Sequence, residues 1–169
     1  SKFKSLSLQK NESNGFFHKY IKSSSSLNSD YSNLIFSYGL KFNKVDIECD
    51  LVEENSKCNI LSALFLNESE HHEIKTCVNH LAPNCKSYQR VKNVLSSKSK
   101  GIFQGKVYVK DIAQKTDAYQ LSKALLLSDH AEFNSKPELE IYADDVKCSH
   151  GSTSGSIDED SLYYLMTRG

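Results

Sequence analysis

The residues best suited to chemistry are a thiol and an imidazole two positions apart, Cys148 and His150. They stand at the end of a strand-like segment, Lys136–Gly151. Residues i and i+2 of an extended strand point the same way, so the two side chains should share one face. A soft sulfur ligand beside an imidazole nitrogen suits iron, zinc or sulfur chemistry. Two ligands do not close a metal site, so the pair predicts half of one.

Blander interpretations of the same residues stay open. The thiol could be a buried core group, and the imidazole could hydrogen-bond at a turn. The neighbouring Asp144 and Asp145 are expected at a corner, with metal binding as the alternative. The set His72, Cys77, His80 and Cys85 has zinc-binding residue types, but its spacing fits no short zinc knuckle. Strand alternation would also send His72 and Cys77 to opposite faces, which disfavours that site.

The elements that would hold these residues are short strands. Apolar or alternating segments of strand length recur along the chain, at residues 34–40, 45–51, 59–66, 73–78, 101–109, 124–127, 139–142 and 146–150. Few are separated by the Asn-Gly or Asp-Gly pairs of tight hairpins, so a coiled parallel sheet is a fair alternative to a sandwich. The apolar parity changes between Ile141 and Val146, which predicts a corner there. Ser156 and Glu159 have capping-box spacing and predict a final helix.

Composition narrows the class of protein. The chain has 169 residues, 38% of them hydrophobic, and equal numbers of basic and acidic residues. Ten Lys or Arg and two acids fall between Lys75 and Lys123, whereas nine acids and two lysines fall between Asp129 and Ser161. This segregation permits docking between related subunits, although differing solvated faces explain it too. Five cysteines without a CxxC pair favour a reducing compartment. We expect neither nucleic-acid binding nor a membrane span.

The motif Lys147-Cys148-Ser149-His150-Gly151 stands among segments that share one family pattern. These are Gly101–Val109, Ala113–Ala118, Ala124–Ser128, Lys136–Gly151, Ile157–Glu159, Leu162–Leu165 and Arg168–Gly169. Together they closely resemble the SufB/SufD family of iron-sulfur cluster assembly proteins, and its SufD type in particular. The similarity is weaker over 71–95, where it rests on His80, Cys85, Ser87 and Gln89, and it is slight over 1–70. One departure is Gly151-Ser152-Thr153-Ser154-Gly155, which replaces the usual Gly-Ala-Thr-Val-Gly.

The resemblance implies an all-β fold, a right-handed parallel β-helix with a short C-terminal helix. We expect a variable, partly mobile segment over residues 1–33, the β-helix core over 34–155, and the start of a helical region over 156–169. In the family, that region continues into helices that engage the ATPase SufC. The chain is therefore expected to be a core fragment of a longer protein.

The resemblance also implies a function. The chain would be a non-enzymatic scaffold subunit of a SufB–SufC–SufD complex, paired with SufB along the β-helix, while SufC hydrolyses ATP. His150 and Cys148 would bind a transient iron-sulfur cluster shared with SufB, with His80 and Cys85 as candidate accessory ligands. No cluster is expected on the fragment alone, which could form a homodimer in isolation.

Two other functional classes stay open. The chain could be a purely structural or interaction subunit without cluster chemistry, or a β-helical enzyme, which would need a nucleophilic or acidic cluster in a cleft. The Lys-, Asn- and Ser-rich N-terminal flank suggests a plastid-type organelle such as the apicoplast, with the bacterial cytoplasm as the alternative.

Overall fold

The chain winds into a parallel β-solenoid, as a computed structural model shows. The structure describes residues 1–10, 15–156 and 158–169, except for the side chain of Glu159. The strands are β1 (Lys2–Lys10), β2 (Phe16–Ser25), β3 (Asp30–Tyr38), β4 (Phe42–Leu51), β5 (Lys57–Leu66), β6 (His71–His80), β7 (Lys86–Leu95), β8 (Lys100–Val109), β9 (Thr116–Leu126), β10 (Glu132–Ile141) and β11 (Val146–Ser156). A short helix, α1 (Glu159–Met166), follows. The predicted parallel β-helix with a C-terminal helix is confirmed.

The strands form two sheets, and each coil of the solenoid gives one strand to each sheet. Sheet A has six strands in the order β1-β3-β5-β7-β9-β11, and sheet B has five in the order β10-β8-β6-β4-β2. All pairings are parallel and in register, so each residue lies beside its counterpart one coil away. Alternate residues point into the space between the sheets and form the core.

Strand alternation explains why these sequences fold as they do. In β4, Val45, Ile47, Cys49 and Leu51 are buried, whereas the residues between them are half-exposed. The chain turns from sheet B back to sheet A through left-handed residues, which are Asn28, Asn55, Asn84 and Lys115 with φ between 53° and 61°. Asparagine tolerates this conformation better than most residues. Each of their backbone N–H groups donates to a carbonyl of the next coil, which ties the corners together.

Several boundaries differ from those predicted. Residues 1–33 were expected to be variable and partly mobile, but they supply β1, β2 and the start of β3, and the core boundary at residue 34 falls inside β3. The serine tract beginning at Ser23 closes β2. Both faces of β1 and β2 carry polar side chains, so these strands show no clear apolar alternation in the sequence. The predicted capping box is wrong, because Ser156 ends β11 and Asp158 caps α1 by accepting a hydrogen bond from the Ser161 N–H at 2.9 Å.

One other prediction is confirmed, and the segregated charges are arranged in a way that was not predicted. The corner expected between Ile141 and Val146 separates β10 from β11. The segregated charges meet within sheet B, since the basic β8 and the acidic β10 are neighbours. Lys100 pairs with Glu132 at 3.2 Å, and Lys106 pairs with Glu140. Two acids of the acidic segment, Glu132 and Glu140, therefore pair with the adjacent coil of the same molecule.

Candidate functional site

Cys148 and His150 lie on β11, an edge strand of sheet A, at positions that face the inside of the solenoid. Cys148 lies beside Ala118 of β9 in register, and His150 lies beside Gln120. The shared face expected from their spacing is therefore present. Because β10 is the edge strand of sheet B, the last coil leaves two strand edges unpaired among the described residues. The site sits at this open end.

The Cys148 thiol is half-buried and packs against a small apolar cluster that includes Val107, Ala118 and Ala143. Burial raises the pKa of this thiol, although a hydrogen bond from the Ala118 backbone opposes the effect. The thiol is thus held mainly in its protonated form near neutral pH. A metal ion would have to displace that proton, so ligation by Cys148 depends on pH.

The imidazole of His150 is exposed, in contrast to the polar residues stacked below it. Gln120 and Gln89 occupy the same inward column, one and two coils below, and both are fully buried. The Gln89 Oε1 atom accepts a hydrogen bond from Thr76 Oγ1 at 2.5 Å. The two Gln120 amide atoms and Gln89 Nε2 have no hydrogen-bond partner among the described residues. A polar column therefore leads from the exposed imidazole into the core.

The predicted accessory ligands, His80 and Cys85, lie within the solenoid, where both are fully buried. His80 Nε2 is 2.9 Å from the Ser87 hydroxyl, and burial lowers its pKa from 6.5 to about 4. The Cys85 sulfur is 3.2 Å from the Ser56 hydroxyl. The accessory role stays a prediction, which the geometry does not favour because both groups are enclosed and already have polar partners.

The remaining zinc-like residues are dispersed, as strand alternation predicted. His72 points inward, with Nε2 2.9 Å from the Leu40 carbonyl, whereas Cys77 is on the outer face of sheet B. Within residues 1–10, 15–156 and 158–169, no three His, Cys, Asp or Glu side chains are grouped to hold a metal ion.

No helix in the described part of the chain is long and apolar enough to cross a membrane.

Sequence reasoning missed the buried glutamine column beneath His150. Gln89 belongs to β7, a strand whose inward residues are a mixture of polar and apolar ones, so that no apolar period of two was visible. The signal that could have found it is the coil repeat, which places Gln89, Gln120 and His150 in register 30 or 31 residues apart.

Comparison with known proteins shows the family of this chain. The family model for the SufBD core domain of SUF-system FeS cluster assembly matches residues 1–169. Over 116 residues the chain is 41% identical to the iron-sulfur cluster assembly protein SufD of Escherichia coli, covering 69% of this chain and 27% of that protein. Over 141 residues it is 33% identical to a SufBD family protein of Synechocystis, covering 83% of this chain and 31% of that protein.

A plant relative is also similar. The chloroplastic protein ABCI7 of Arabidopsis thaliana is 47% identical over 76 residues, which are 45% of this chain and 16% of that protein. The chain thus spans less than a third of the length of these relatives. The family model matches the whole length of the chain, and the solenoid fold and the Cys-His motif agree with it. The chain therefore belongs to the SufB/SufD family of iron-sulfur cluster assembly proteins and resembles SufD.

Proposed function

We propose that this chain is the core of a non-enzymatic scaffold subunit that helps to build a nascent iron-sulfur cluster at an interface with a SufB-type subunit. His150 and Cys148 contribute ligands to that cluster. An associated SufC-type ATPase supplies the energy, so this chain needs no nucleotide site of its own.

One observation carries the proposal: a thiol and an imidazole share the inward face of an edge strand at the open end of the solenoid. Both ligand types suit iron. A second subunit that paired with the edge of β11 would use its free backbone groups and bring further ligands to the two side chains. The half-site would then be complete only in the assembly.

The relatives indicate where such an assembly works. One similar protein is named as chloroplastic and others are bacterial. A plastid-type compartment or a bacterial cytoplasm therefore suits this chain, and an apicoplast is the plastid we favour.

The test uses the full-length protein, coexpressed with its SufB- and SufC-type partners and reconstituted under anaerobic conditions. We expect His150→Ala to lower the iron and acid-labile sulfide per complex at least tenfold, and Cys148→Ser to lower them less. The exposed His130, which lies in the loop after β9, supplies the control His130→Ala. Circular dichroism and complex recovery show whether each variant still folds and assembles.

Unchanged cluster yield in both site variants would refute ligation by these residues. That result would favour the alternative, a structural subunit that contributes only its surface. Loss of the complex itself in His150→Ala is a third outcome, and it would assign the residue to assembly instead of cluster binding.

A further inference from the structure

The outer faces of the two sheets differ in kind. The outer face of sheet B carries ion pairs that link neighbouring strands. These pairs are Lys22–Glu48, Lys44–Glu73, Lys100–Glu132 and Lys106–Glu140. Acidic and basic residues thus balance each other across this face, as on an ordinary solvated surface.

The outer face of sheet A is basic instead. Besides Lys10, its outward positions carry eight basic residues among those described, namely Lys2, Lys4, Lys57, Lys86, Arg90, Lys92, Lys123 and Lys147. The same positions carry two acids, Asp30 and Asp117. Within the described part of the chain, the ion pair found on this face joins Lys86 to Asp117 at 3.6 Å. A net positive charge therefore remains for a partner to neutralise.

The same face also exposes a contiguous group of apolar side chains. Leu6, Leu8, Leu34, Phe36 and Phe65 are between 39% and 70% exposed. They lie on three adjacent strands, where Leu6 is in register with Leu34, Leu8 with Phe36, and Tyr38 with Phe65. Clustered large apolar side chains on a surface mark interaction sites.

We propose that the outer face of sheet A is a docking surface for an acidic, amphipathic helix of a partner protein. The apolar side of the helix would cover the leucine and phenylalanine group, and its acidic flanks would meet the lysines and Arg90. Six strands at ~4.8 Å spacing and ten residues at ~3.3 Å make a face that is broad enough for a helix ~10 Å across. The surface is separate from Cys148 and His150, which point inward, so it does not depend on the proposed cluster site.

Single-stranded RNA is the competing class of ligand, because aromatic rings and cations also lie together on this face. Tyr88 stacks on Tyr119 with ring centroids 5.7 Å apart, and the Arg90 guanidinium lies 5.2 Å from the Tyr88 ring. Such a surface can bind single-stranded RNA. The exposed leucines and phenylalanines favour a helix, since their side chains offer nothing to a phosphate backbone.

The first test measures the binding of a fluorescent, synthetic 18-residue peptide, helical and amphipathic, with leucines on one side and glutamates on the other. We expect the 169-residue chain to bind it, with at least tenfold weaker binding in Lys92→Glu/Lys123→Glu and in Phe36→Ser. Lys92 and Lys123 are exposed neighbours in register. The matched control, Lys75→Glu/Lys136→Glu, makes the same charge change on the outer face of sheet B and should bind normally, as should His150→Ala.

The comparison probes are the same peptide with lysine in place of every glutamate, and a single-stranded oligouridine. Equal binding of the two peptides would overturn the proposal, as would equal losses in the two double-lysine variants. Binding of oligouridine through Lys92 and Lys123, without binding of the acidic peptide, would assign the surface to RNA instead.

A second test identifies the occupant in the assembled protein. A photo-crosslinking benzoylphenylalanine replaces Leu34 in the full-length protein, and mass spectrometry identifies the attached peptide. An acidic segment with helical apolar spacing from another protein supports the proposal. A cross-link to the protein's own chain, to a second copy or to RNA would overturn it, and so would the absence of any cross-link.

Discussion

Acid should destabilise this protein through His80, whose imidazole is fully buried in the solenoid. Burial lowers the pKa of His80 from 6.5 to about 4, because the charged form would lose its hydration. Between these two pH values the unfolded chain binds more protons than the folded one. The free energy of unfolding therefore falls as the pH drops below 6.5, and this loss levels off below about 4.

The magnitude follows from the two pKa values. Proton linkage with 6.5 in the unfolded state and about 4 in the folded state removes ~2 kcal/mol between pH 7 and pH 5. The full difference, reached below pH 4, is ~3 kcal/mol. Such a loss is a large fraction of the ~5–15 kcal/mol typical of a folded domain. Burial also lowers the pKa of His72, which adds to the effect in the same direction.

Urea denaturation of the wild type and of His80→Asn, each at pH 7 and pH 5, isolates the contribution of His80. We expect the wild type to lose ~2 kcal/mol more than the variant over this interval, whatever the variant costs at pH 7. His80→Gln provides a second version if the first folds poorly, and His130→Asn replaces an exposed histidine as the control. An equal loss in the wild type and His80→Asn would refute the reasoning.

Three further predictions concern packing, corners and thiols. Gly105→Ala should lower the free energy of unfolding by ~1–3 kcal/mol, since its Cβ would lie 2.5 Å from the buried Phe103 ring, whereas Gly155→Ala, with no atom within 4 Å, should change the melting temperature little. Lys115→Gly should raise the free energy of unfolding in urea by ~0.5–1 kcal/mol, because Lys115 has a φ of 60°. Lys98→Gly, at a turn residue without a positive φ, should lower this free energy. A lower free energy of unfolding in both variants would contradict the argument. Cys49, Cys58 and Cys85 are buried, and Cys148 is half-buried. A disulfide reagent at neutral pH should therefore modify Cys148 slowly and the three buried cysteines only when the protein unfolds. Rapid modification of these three cysteines in the native protein would show that the core is open.

The sequence predicted the fold where apolar residues alternate, and it missed strands where they do not. β4 and β5 carry apolar residues at most inward positions, and each overlaps a predicted strand. In β7, Ser87, Gln89 and Asn93 point inward and Arg90 and Lys92 point outward, so neither face reads as apolar. Ser87 and Gln89 have hydrogen-bond partners in β6, across the core, whereas the Asn93 amide has none among the described residues. Such contacts depend on the folded arrangement and not on local sequence.

The candidate site divides in the same way. The spacing of Cys148 and His150 was sufficient to place both on one face, because strand alternation is a local property. Gln120, beneath His150, came into view only with the register of β9 and β11. The proposed remaining ligands belong to another subunit, so no reading of this chain alone could supply them.

The stacking of coils has a mechanical consequence for the open end. Each strand pairs with strands one coil away, so the protein behaves as a one-dimensional array in which cooperativity passes between nearest neighbours. β11 has a neighbouring strand on one side only, and so it should open at a lower free energy than the interior strands. In a hydrogen-exchange experiment, protection should rise from this terminal strand towards the middle of the array. The end of the solenoid that should open most easily also carries Cys148 and His150. A docking subunit could therefore bind one of several slightly displaced positions of β11 and hold the strand there.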